Sequence, residues 1–75
     1  MVPEVAQGQI WKEKGTKGVK CYITFVKYDH DNEPLKVIAL YPDGYLHEWT
    51  TVCFKLNHDF TGDHVPFEDV AAVLF

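Results

Sequence analysis

The stretch VKCYITFVKY, residues 19–28, alternates in chemistry from one position to the next. Val19, Cys21, Ile23 and Phe25 fall on one side, and Lys20, Tyr22, Thr24, Val26 and Tyr28 on the other. A period of two is the signature of a strand with one buried face, so the odd positions are expected in a core and the even ones on a mixed face. After the polar break DHDNEP, where Pro34 interrupts pairing, LKVIALY reads as a second long strand. YPDGY follows, with Pro42 presetting the first turn position and Gly44 able to take the left-handed conformation that doubles the chain back. These strands and their tight turn commit the chain to an antiparallel sheet.

The flanking segments extend that sheet. GQIWK and YLHEWT read as shorter strands, EKGTKG as a Gly- and Lys-rich turn, and TVCFKLNHDF as a further short strand running into a loop at TGD. Residues 1–7 carry a proline and no periodicity, and are expected as a loose lead-in. Residues 9–60 should form a barrel-like sheet whose core includes Ile10, Val19, Cys21, Ile23, Phe25 and Val37. A closed or half-closed barrel would remove most strand edges.

The period then changes. Phe67, Val70, Ala71 and Leu74 stand at i, i+3, i+4 and i+7, one stripe of a helix over residues 66–74. Pro66 suits its first position, and Glu68 with Asp69 its first turn. The competing reading is a closing strand made from VAAVLF. As a helix, the stripe would cover an open end of the barrel and leave Val73 and Phe75 outside it, available for self-association as a symmetric dimer.

Seventy-five residues, 47% of them hydrophobic, make one small domain. The fold class expected is mainly β: a small SH3-like antiparallel barrel over residues 8–60, with a short C-terminal helix in a tail over 63–75. The net charge of -4 is unevenly spread. Residues 1–28 carry five lysines against Glu4 and Glu13, whereas residues 29–75 carry Lys36 and Lys55 against nine carboxylates. Arginine is absent, which removes the usual bidentate grip on guanine or phosphate. Cys21 and Cys53 are the only cysteines, and no leader or membrane-length apolar run is visible. A reducing cytoplasm and two buried thiols are therefore expected.

The order of a G-x-Ile-Trp opening, long strand, polar loop, long strand, DG hairpin and a phenylalanine-bearing VCFKLNHDF resembles the small SH3-like barrel proteins of bacteriophage and prophage genomes. The resemblance covers residues 8–60 and transfers no functional residue. It implies a cytoplasmic module that binds a bacterial host protein, such as a nucleic-acid-processing or defence enzyme, and inhibits or redirects it.

Catalytic and metal chemistry find no pattern here. The pairings DHD, LHE, NHD and GDH match no ligand spacing, and DHDNEP lacks both the turn glycine and the bidentate glutamate of a calcium loop. Cys21, on the expected core face, would be inert, and no phosphate cradle or nucleophile motif occurs. The chain is expected not to be an enzyme and to use no metal or cofactor. Two binding readings follow. Protein binding would use the acidic part of the surface (Asp43, Glu48), an open sheet edge, or the tail (Val73, Phe75). Single-stranded nucleic acid would instead stack on Tyr22 and Tyr28 with Lys20 beside them, against the acidic balance of the chain; the alternative for these rings is packing under the tail or against Trp11, with the lysines a solvated rim.

Overall fold

A computed structural model describes residues 4–15 and 17–75. Five antiparallel strands, β1 (Gln9–Glu13), β2 (Lys20–Tyr28), β3 (Pro34–Leu40), β4 (Leu46–Thr50) and β5 (His58–His64), stand in the order β4-β3-β2-β1-β5. β4 and β5 form the two edges, so the sheet is open rather than a closed barrel.

The hairpin between β3 and β4 follows from its sequence. The Gly44 amide donates to the Tyr41 carbonyl at 2.9 Å, and Gly44 takes a φ of 86°, which a side chain would resist. The polar break between β2 and β3 is likewise a turn. Asp29 Oδ1 accepts the amides of Asp31 and Glu33, and Asn32 takes the left-handed conformation.

The alternation breaks inside β2. Ile23 pairs with Ala39 but Phe25 pairs with Ile38, so β2 carries a bulge at Thr24. The Thr24 hydroxyl donates to the Ile38 carbonyl at 2.9 Å and holds it there. One extra residue inverts the alternation beyond it. Val26 is therefore buried, while Phe25, expected in the core, is 52% exposed on the opposite face.

TVCFKLN is not a strand. It forms α1 (Thr51–Asn57), capped by the Thr50 hydroxyl accepting the Cys53 amide, with β5 beginning only at His58. Thr51, Phe54 and His58 are its buried residues and those of its C-cap, a spacing of i, i+3 and i+7. TGD, expected as a loop, lies inside β5, where Gly62 has a φ of 90° and the register against β1 shifts. Cys53, on α1, is exposed instead of buried.

The sheet has a core on each face. The inner one gathers Trp11, Cys21, Ile23, Val37, Ala39 and Tyr41, and Phe54 of α1 fills it with an edge-on contact to Trp11 at 5.2 Å. Val5, from the segment expected as a lead-in, is buried in the same cluster. Glu4 and Ala6 are tied to the Gln9 amide, whose Oε1 also accepts the Trp11 indole N–H. Val19 packs at the margin of this core.

The outer core holds Ile10 and Tyr22 of β1 and β2 beneath α2 (Val70–Leu74), which follows a 3-10 turn at Phe67–Asp69. The tail is thus helical but shorter than residues 66–74. It covers the outer face of the sheet, while α1 fills the inner core. Val70 and Leu74 supply the buried row. Ala71 is exposed, and Phe67, 67% exposed, meets the Tyr22 ring edge-on at 6.2 Å. One helical turn offers a single contact row, so a four-residue stripe cannot all be buried.

Candidate interaction site

Where the end of β3 meets the start of β5, the inner core becomes polar. Tyr41, His58, Cys21 and Trp49 converge there around one chain of hydrogen bonds. His58 Nδ1 lies 2.9 Å from the Phe54 carbonyl, which can only accept, so Nδ1 carries the proton. Nε2 is then the acceptor of the Tyr41 hydroxyl at 2.7 Å. Phe54 stacks on the imidazole at 4.1 Å and Trp49 meets it edge-on at 5.1 Å.

This packing holds the group neutral. Burial lowers the His58 pKa below 6.5, against the opposing hydrogen bond to Phe54. Burial also pushes the Cys21 thiol up to about 12 and raises the Tyr41 phenol above its ordinary value. Cys21 is therefore protonated and a poor nucleophile at neutral pH. Among the described residues, the Trp49 indole N–H, near the Tyr41 hydroxyl, has no hydrogen-bond acceptor of good geometry.

Outside this network, a cleft of about 320 Å³ opens between the end of β1 and the β3–β4 hairpin. Val19, Tyr41, His47 and Trp49 line it together with the carboxylates of Glu13 and Asp43. Asp43 Oδ1 accepts the Tyr45 amide at 2.8 Å, and Oδ2 lies 3.0 Å from His47 Nε2. These bonds, the backbone one first, lower the Asp43 pKa. His47 in turn stands edge-on to Tyr41 at 4.8 Å.

The residues singled out for partner binding are dispersed. Asp43 lines the cleft, and Glu48 lies on the outer face of β4, 3.6 Å from Lys36 Nζ. Lys20 and Tyr28 are exposed at opposite ends of β2. Tyr22 is not available beside them. It is buried under α2, where burial, with Glu68 nearby, raises its phenol pKa. Val73 is half-buried against the outer core and Phe75 is exposed.

The bulge instead brings forward residues that the alternation hid. Phe25 lies opposite Ile38 on the outer face, and Leu46 opposite Leu40 in a neighbouring row, while Ile38 itself faces Glu48 of β4. Phe25 and Leu46 (61%) remain exposed. The signal for Phe25 was absent from local pattern, because a bulge is set by pairing.

Among the described residues, no group of three or more His, Cys, Asp or Glu side chains converges as a metal site, and no helix is long and apolar enough to cross a membrane. The chain matches no known protein family, no curated protein and no solved structure.

Proposed function

We propose that this chain is a non-catalytic protein-interaction module of SH3-like build. The strand order β4-β3-β2-β1-β5, with a short helix between β4 and β5, supports that build in an open form. The observation that carries the binding role is the pair of apolar side chains Phe25, opposite Ile38, and Leu46, opposite Leu40, each more than half exposed on the outer face of the sheet. Large apolar side chains left exposed on one sheet face of a small domain favour a surface that is covered in use.

The resemblance to phage and prophage SH3-like proteins supplies the target: a bacterial host protein, met in the host cytoplasm and inhibited or modulated by the contact. Burial of Tyr22 disfavours the nucleic-acid reading, since a stacking platform on β2 would lose one of its two rings unless α2 left the sheet. Burial of Cys21 and engagement of His58 Nε2 favour a non-catalytic role.

The test is capture from bacterial lysate with the wild-type chain and with Phe25→Glu and Leu46→Glu, followed by mass spectrometry. One protein should be retained by the wild type, survive washing at about 0.5 M salt as an apolar contact does, and be lost with both variants. Saturable binding of labelled single-stranded DNA or RNA at physiological salt, abolished by Lys20→Glu, would replace this reading with the nucleic-acid one.

A further inference from the structure

Glu13 ends β1 half-buried at the cleft, and no cation answers it. Among the described residues, no lysine or histidine nitrogen lies within 4.0 Å of its carboxylate, although Glu4, Asp31, Asp43, Glu48 and Asp59 all have such a partner. Its charge reaches inward, where it adds to the upward shifts of Cys21 and Tyr41. Opposite stands Asp43, held in place by the Tyr45 amide and His47. Between the two carboxylates the walls come from Val19, Tyr41, Pro42 and Trp49, with the His47 ring beside Asp43. No lysine lines the space.

That combination selects its guest. A half-buried carboxylate without a counter-ion favours a cation, and aromatic walls favour one that is large, weakly hydrated and attached to an alkyl stem. Among the described residues no three His, Cys, Asp or Glu side chains converge to hold a metal ion, so Glu13 and Asp43 do not make a metal site. The volume, about 320 Å³, lies at the lower end of the range for small-ligand pockets and accommodates an amino-acid side chain. We infer that the cleft between the end of β1 and the β3–β4 hairpin receives one lysine or arginine side chain of a protein partner. The cationic head meets Glu13 and Asp43, and the stem lies along the aromatic wall. This rests on the interaction-module reading and names the chemistry of the side chain that the partner presents.

The full chain, labelled with nitrogen-15, is titrated with N-acetyl-arginine amide and N-acetyl-lysine amide, with N-acetyl-norleucine amide as the neutral counterpart. The Trp49 indole N–H is the reporter. Either cationic amide should give saturable shifts there, weakened by added salt, and the norleucine amide should bind at least about tenfold more weakly. Glu13→Gln, which breaks no internal ion pair, should weaken the cationic amides by about tenfold with its melting temperature kept. Should that variant lose its fold, the salt series on the wild type decides the matter alone. Equal shifts from norleucine, salt-independent binding, or no shift at tens of millimolar would overturn the inference. None of these would touch the module reading, which stands or falls on the Phe25 and Leu46 variants.

Discussion

The Tyr41 hydroxyl donates to His58 Nε2 at 2.7 Å, joining the residue that follows β3 to the first residue of β5. Those two strands are not neighbours in the sheet, so the bond fastens together segments that no ladder connects. It also fixes the His58 tautomer, because Nδ1–H is committed to the Phe54 carbonyl. Tyr41→Phe keeps the ring and leaves Nε2 buried without a donor. It should cost about 1–3 kcal/mol. A thermal melt measures this, at roughly 4–8 °C per kcal/mol for a domain of this size. An unchanged midpoint would mean the bond adds nothing net.

The same histidine makes stability depend on pH. Its pKa in the folded chain is lowered from 6.5, so the folded state binds fewer protons than the unfolded one below that value. The contribution is fully present above pH 6.5 and is lost progressively as the pH falls from 6.5 through the lowered pKa. Denaturant titrations at a series of pH values should show this acid limb in the wild type and a flatter one in His58→Gln. A wild-type limb no steeper than the variant's would remove His58 as its source.

Gly8 has a φ of 96°, and a Cβ built there would meet the His64 ring at 2.7 Å. Its amide donates to Ile23 and its carbonyl accepts from Val65, so β2 and the tail both depend on its backbone. Gly8→Ala should therefore destabilise by at least about 1–2 kcal/mol from backbone conformation. Double substitution with His64→Ala should recover only the steric share of that loss, as read from paired denaturant midpoints.

Deleting residues 66–75 strips Val70 and Leu74 from Ile10 and Tyr22. Each of those two side chains contributes on the order of 1.5–3 kcal/mol by burial, a large part of what holds a domain of this size. The truncated chain should melt far lower or not fold. Light scattering on the intact chain completes the experiment. If truncation keeps the midpoint and abolishes only a dimer, the tail is an association surface through Val73 and Phe75 and not a structural one.

Local patterns in the chain were enough for the strands and turns whose cause is local. Alternation marked β2 and β3, Pro42 and Gly44 marked the hairpin, and Asp29 with Asn32 marked the turn before β3. Thr50 before Thr51, Phe54 and His58 was a helix signal in plain view, hidden by the strand-favouring residues Thr, Val, Cys and Phe around it. The cleft had no comparable trace. Glu13, Asp43 and Trp49 lie on separate elements, and neither their spacing nor their type relates them until the sheet curls.

The sequence by itself determined the antiparallel β character and the position of the main hairpin, and favoured a helical tail over a closing strand, because each rests on preferences within a few residues. Tertiary structure alone decided which face each side chain serves. Pairing of β2 with β3 places the bulge at Thr24, and that one extra residue exchanges Phe25 for Val26 in the core. Docking of α2 on the outer face, instead of over an open end, turns Tyr22 from a surface ring into a buried one. Both outcomes depend on the total area buried by strands and helices meeting across the whole fold, a quantity that no single stretch of the chain contains.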